Sequence, residues 1–213
     1  MRVPSFPPLH VITDDRPGRD VLATVTAALS AGAPCIQVRT KHGRDRDRLT
    51  LARAVVERCR EASATCIVND RIDLALAADA DGVHLGADDL PVAVARRLVA
   101  TRLVGGTARD PAQARRLVAE GADYLGVGPV HATTTKDGLP APLGLTGLRQ
   151  VVQAVDVPVV AIAGITVARV AEVVEAGARG IAVIGAVADA DDPATATAAL
   201  LDALADAGTA DGA

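Results

Sequence analysis

From Leu9 onward the chain repeats one pattern: a short run rich in Val and Ile, a polar break, then an Ala/Leu/Arg stretch whose apolar residues recur at helical spacing. The apolar runs predict strands at 9–14, 35–40, 65–70, 82–86, 103–108, 124–130, 157–165 and 180–187. The periodic stretches predict helices at 20–32, 47–63, 71–79, 90–100, 110–122, 145–155, 166–178 and 192–208. Helix starts are marked by Asp110-Pro111 and Asp192-Pro193, where an Asp cap precedes a Pro that lacks the orphan N–H. Gly32, Gly121 and Gly177 supply left-handed stops. Alternating units of this number and spacing fit an α/β fold, the (β/α)8 or TIM barrel, whose functional end is formed by the C-terminal ends of the strands. A doubly wound open sheet would need an edge strand, and none of these runs is polar enough to be one.

At 213 residues the chain is long enough for one sizeable core, so one domain is expected over 1–213, with a flexible tail from about 208. Half of the residues are hydrophobic but only 1% are aromatic, which leaves Ala, Val, Leu and Ile to build the core by regular layered packing. A net charge of -4 and the scarcity of stacking rings argue against a nucleic-acid surface. No apolar run reaches membrane-span length and MRVPSFPPLH has no signal-peptide pattern, so a cytoplasmic location is expected, with no membrane partner. Cys35, Cys59 and Cys66 lack metal spacing and read as buried, reduced thiols.

The polar residues that remain gather at the predicted strand ends. In CIQVRTK the alternation sets Gln37 and Arg39 opposite Ile36 and Val38, with Lys41 just beyond. A buried Arg39 needs an anionic ligand or a carboxylate, and an internal ion pair with Asp70 would serve. Asn69-Asp70 and Asp88-Asp89 offer hard oxygen ligands suited to a Mg²⁺ that keeps some waters and binds phosphate oxygens, although Asp70 or Asp88 would serve equally as a helix cap. His84 either orients a substrate ring or packs as a neutral core imidazole. Thr107, Thr133, Thr135 and Lys136 offer donors to phosphate, the last three within the Gly- and Pro-rich stretch HATTTKDGLPAPLG at 131–144. Lys41 and Lys136 are the only lysines. Gly164 after strand seven and Ile184-Gly185 after strand eight precede helix starts, where such barrels cradle phosphate. Two anion sites in one mouth imply a transfer between two phosphorylated small molecules, with no obvious nucleophile.

Three segments in order, QVRTK, NDRIDLALAADADGVHLGADDLP and GVGPVHATTTKDGLPAPLGL, resemble the thiamine phosphate synthase family, and the likeness runs over nearly the whole chain. The resemblance implies that Gln37, Arg39, Lys41, Asn69, Thr107 and Lys136 contact 4-amino-2-methyl-5-hydroxymethylpyrimidine diphosphate, with Asp70 and Asp89 on Mg²⁺. It implies that Thr133, Thr135, Gly164, Ile184 and Gly185 hold 4-methyl-5-(2-phosphoethyl)thiazole, or its carboxythiazole phosphate form. Arg39, Lys41, Thr107 and Lys136 would assist departure of pyrophosphate, leaving thiamine monophosphate as the product. The sequence departs from the family pattern at His131-Ala132, usually an aromatic and a proline, at Thr40, often acidic, at Gly185, often serine, and at Thr107, a threonine for the usual serine.

Two alternatives stand beside this reading. One is a thiazole tautomerase-like isomerase on the same barrel, which would lack the paired carboxylates and use a histidine after strand five, where this chain reads Ala-Arg-Asp. The other is a non-catalytic phosphate-ligand sensor. A homo-oligomer is compatible with the sequence, which does not fix the assembly.

Overall fold

The structure is a computed structural model and describes residues 6–133, 138 and 140–209. Among them, eight parallel strands close into a barrel in sequence order, each paired with the next and the last with the first. The strands are β1 (Leu9–Ile12), β2 (Cys35–Val38), β3 (Thr65–Asn69), β4 (Gly82–Leu85), β5 (Leu103–Ala108), β6 (Tyr124–Val127), β7 (Val159–Ile162) and β8 (Gly180–Val183). The helices are α1 (Val21–Ser30), α2 (Asp45–Glu61), α3 (Ile72–Ala77), α4 (Val92–Val99), α5 (Pro111–Ala119), α6 (Gly144–Val152), α7 (Val170–Glu175), α8 (Gly185–Ala188) and α9 (Pro193–Thr209). A 3-10 turn at Val167–Arg169 leads into α7.

Closure removes the edge that an open sheet would expose. Outward-facing Ile36, Val38, Val68, Val83 and Leu85 join the helices in one continuous apolar layer. Each such side chain, fully buried, contributes about 2 kcal/mol. A smaller core fills the barrel interior: Ile12, Cys35, Ile67, Tyr124, Val160 and Ala182, with Phe6 packed against it. The chain's one Tyr and one Phe therefore sit together inside the barrel, ring centroids 5.2 Å apart. Gly105 makes room for this, since a Cβ there would lie 2.2 Å from Tyr124 Cζ and 2.4 Å from His84 Nδ1. The three thiols are free and buried, as expected.

The helix signals hold. Asp110 caps α5 by accepting from the Ala112 and Gln113 amides at 2.8 and 2.9 Å, and Asp192 accepts from Ala194 N–H at 3.0 Å. Gly32, Gly121 and Gly177 all have positive φ. Several strands stop short of their predicted ends, because the chain turns outward once the polar rim residues begin. The largest correction is at strand eight: Gly185 already starts α8, so the predicted run 180–187 divides into β8 and one helical turn. Neither Asp70 nor Asp88 caps a helix; Arg71 precedes α3 and Pro91 precedes α4, both without a side-chain capping bond. The helix α9 runs to Thr209, and the predicted tail beyond it lies outside the described residues. No helix among the described residues is long and apolar enough to cross a membrane.

Candidate active site

The C-terminal rim of the barrel opens into a cavity of about 950 Å³ that reaches down to the inner core. Of the residues singled out from the sequence, Gln37, Arg39, Lys41, Asn69, Asp70, His84, Thr107, Thr133, Gly164, Ile184 and Gly185 all line it. Asp89 joins the group through a hydrogen bond with Asp70. Thr135 and Lys136 lie outside the described residues.

The β2 end is shaped by β1, its neighbour in the barrel. Thr13 Oγ1 accepts from Arg39 N–H at 2.8 Å and donates to Arg39 O at 3.0 Å. Asp15 Oδ2 accepts from the Lys41 and His42 amides at 2.5 and 2.9 Å, while its Oδ1 lies 4.0 Å from Arg39 Nη1. The expected Arg39–Asp70 pair is therefore not formed. Asp15 serves Arg39, and Asp70 is held by the Lys41 ammonium. The reason is reach: Lys41 sits past the strand end on a flexible stem that spans to β3, whereas Arg39 is flanked by the β1 loop.

Asp70 adopts a left-handed backbone, φ 65°, with its N–H bonded to His84 O at 2.8 Å. That strained conformation for a non-glycine residue is maintained by its neighbours on β3 and β4. Asp89 Oδ2 accepts from Gly86 N–H at 2.6 Å. Burial opposes ionisation of Asp70, yet its bond with Asp89 and the Lys41 charge hold its pKa below the ordinary carboxylate value. Burial, and then the contact with Asp70, push the Asp89 carboxyl above its ordinary value.

Deeper in the barrel the polar groups form a chain. His84 Nε2 is 3.0 Å from Thr107 Oγ1 and its Nδ1 is 3.0 Å from Tyr124 Oη, which is also hydrogen-bonded to Gln37. Burial lowers the His84 pKa to about 4 in spite of the Asp70 charge, leaving a neutral ring that exchanges hydrogen bonds. At the β7 end Ala163 and Gly164 are both left-handed, φ 76° and 67°. A Cβ on Gly164 would lie 2.6 Å from Ala132 O and 2.7 Å from His131 Cβ, so the β6 loop packs directly onto glycine backbone. The same loop is closed at its base, where Leu143 and Gly144 donate to Pro129 O and Val130 O.

Tyr124, His10, Asp15, Arg109 and Arg169 are among the cavity or rim residues that the sequence did not single out. Tyr124 and His10 looked like strand core, Asp15 like loop, and Arg109 and Arg169 like solvated positions. The usable signals were modest: Tyr124 is the chain's one tyrosine, and Arg109 follows Thr107-Ala108 at a strand end.

Residues 9–187 match the family described as thiamine monophosphate synthase (TMP-TENI). A thiamine-phosphate synthase of Salinispora arenicola is 54% identical over 200 residues, covering 92% of this chain and 96% of that one. The chain belongs to the thiamine monophosphate synthase family. A Chloroflexus aurantiacus thiamine-phosphate synthase is 50% identical over 198 residues, with 92% and 91% of the two chains covered. Among solved structures, thiamine phosphate pyrophosphorylase from Pyrococcus furiosus superposes with a TM-score of 0.87 at 38% identity, covering 94% of this chain and 96% of that one. Family membership makes the chain a transferase of the thiamine-phosphate synthase type that acts on phosphorylated small molecules, and the isomerase and sensor alternatives are not favoured.

Proposed function

We propose that this cavity joins 4-amino-2-methyl-5-hydroxymethylpyrimidine diphosphate to 4-methyl-5-(2-phosphoethyl)thiazole, giving thiamine monophosphate and pyrophosphate in the cytoplasm. The observation that carries the reading is the charge arrangement at β2–β4: Arg39 and Lys41 beside two hydrogen-bonded carboxyls, Asp70 and Asp89.

The donor set fits Mg²⁺. Among the described residues no three His, Cys, Asp or Glu side chains cluster as a protein-only cage. Two adjacent carboxylates, with substrate phosphate oxygens and water completing the shell, are the arrangement Mg²⁺ usually takes. Asp70 and Asp89 would hold it, and when bound it neutralises charge developing on the departing diphosphate.

In the reaction the bond between the pyrimidine methylene carbon and the diphosphate oxygen breaks, and its electron pair leaves with pyrophosphate. The thiazole nitrogen donates its lone pair to that carbon and becomes the thiazolium nitrogen. Arg39, Lys41 and Lys136 meet the departing oxygens, and Thr107, positioned by His84, adds a hydroxyl donor. Gln37 and Asn69 orient the ring. Thr133, Thr135, Gly164, Ile184 and Gly185 hold the thiazole phosphate in line, and this fixed approach of two reactants supplies much of the acceleration.

Pyrophosphate release from the two substrates with magnesium tests the proposal. Asp70→Ala and Asp89→Ala are expected to lower kcat by about 100-fold or more, with thiazole phosphate binding retained in calorimetry. Full turnover by a chelator-treated double variant would overturn it.

A further inference from the structure

Resting on the function proposed above, we infer that Arg169 binds the phosphate monoester of the thiazole substrate at the β7/β8 end of the cavity. Arg169 closes the 3-10 turn after β7, is half-buried, and lines the cavity together with Gly164, Thr166, Ile184 and Gly185. Its Nη1 donates to Gly164 O at 2.7 Å, which ties the guanidinium to the glycine whose backbone the β6 loop packs against.

The cations on the β1–β3 side of the rim are paired, whereas Arg109 at the β5 end, like Arg169, has no carboxylate partner among the described residues and donates to Ala141 O at 2.8 Å. Lys41 is paired with Asp70, Arg39 lies against Asp15, and Arg16 and Arg19 close on Asp14 and Asp189. Among the described residues no carboxylate lies within 4 Å of the Arg169 guanidinium. Glu172, the nearest acid along the helix, instead faces His131, its Oε1 3.1 Å from Nε2. Burial, and then the Arg169 charge, hold His131 below its ordinary pKa, against the opposing pull of Glu172.

A half-buried guanidinium with no carboxylate within 4 Å among the described residues is the donor geometry a phosphate completes. One of its five N–H groups is used on Gly164 O, and the remaining fork presents paired donors that match phosphate oxygens. Gly164 and Gly185 contribute no side-chain donor of their own, which assigns the charged contact on this side of the cavity to Arg169. The sequence hides this role, because Arg169 occupies a polar position in a stretch that reads as an ordinary surface helix.

The decisive measurement is calorimetric affinity, with turnover alongside, for 4-methyl-5-(2-phosphoethyl)thiazole and for its unphosphorylated alcohol. Arg169→Gln is expected to weaken the phosphate ligand on the order of 10- to 100-fold, as for loss of a charged hydrogen bond. The alcohol and the pyrimidine diphosphate should bind as in the wild type. Arg169→Lys, which keeps the charge but not the fork, should fall between. Equal losses for phosphate and alcohol would reduce Arg169 to a structural tie on Gly164 and overturn the assignment; so would unchanged phosphate affinity. If Arg169→Gln does not fold, Arg169→Lys decides alone, with affinity equal to wild type for the phosphate counting against the proposal. A wild-type protein that binds the phosphate but releases no pyrophosphate would refute the proposed reaction while leaving the Arg169 result readable.

Discussion

Asp15 shows how a single carboxylate organises the cationic end of this site. By accepting from two successive amides it fixes where the chain turns after β2, and so where the Lys41 stem begins. Replacing it with alanine leaves two amides without their acceptor and Arg39 without its nearest carboxylate. Asp15→Ala is expected to raise KM for the pyrimidine diphosphate and lower kcat, each about 10-fold, a charged hydrogen bond being worth about 1.5–3 kcal/mol. Steady-state kinetics with thiazole phosphate varied separately should show no comparable change in its KM, and Asp15→Asn, which keeps an acceptor oxygen, should recover part of the loss. The alternation of QVRTK made Gln37 and Arg39 legible because side chains on a strand have period two. Asp15 was not legible: its role depends on β1 lying beside β2, and a polar residue after a strand looks the same whether it binds amides or water.

Among the elements, caps and stops were the most readable features because they act within three or four residues. Asp110 engages two amides of α5 with Pro111 in the first turn, and its replacement should act on that helix without reaching the cavity. Asp110→Ala is expected to lower the unfolding free energy by about 1 kcal/mol, seen as a lower denaturant midpoint with unchanged slope, and to leave kcat near wild type. A large loss of activity would mean that α5 carries more of the site than its position indicates. Strand ends were less readable. Ile184-Gly185 continues an apolar run in the sequence, but the backbone turns there into α8, and apolar character alone does not distinguish the last strand residue from the first helical one. The segment 131–144 could be recognised as exceptional by its Gly, Pro and Thr content, yet the packing of His131 and Ala132 onto Gly164 depends on the ends of β6 and β7 lying side by side in the barrel.

Across the whole molecule, the inner core couples stability to pH. His10 is buried between Phe6 and Tyr124, with ring centroids 5.3 and 5.5 Å away, and burial followed by the influence of His84 lowers its pKa from 6.5 to about 3. Between those values the unfolded chain binds a proton that the folded chain refuses. Stability from this group is therefore complete above about pH 6.5 and declines as the pH falls toward 3, by up to about 1.4 kcal/mol per pH unit. Denaturant titrations from pH 7 to 4 should show that decline, and His10→Gln should make it shallower, the part due to the buried His84 remaining. An identical slope in the variant would remove His10 as its source.

The sequence by itself determined the repeating βα order, the helix caps, the barrel closure and the family, because each rests on local periodicity or on short segments whose order survives in the linear chain. It also placed most rim residues, since in a parallel barrel every strand ends at the same mouth. Only the tertiary structure decided the pairings: Lys41 with Asp70, Arg39 with Asp15, Asp70 with Asp89, and His84 between Thr107 and Tyr124. Those depend on side-chain reach, on burial and on which strands are neighbours in space. A guanidinium such as Arg169 becomes informative only once the carboxylates within its reach are known.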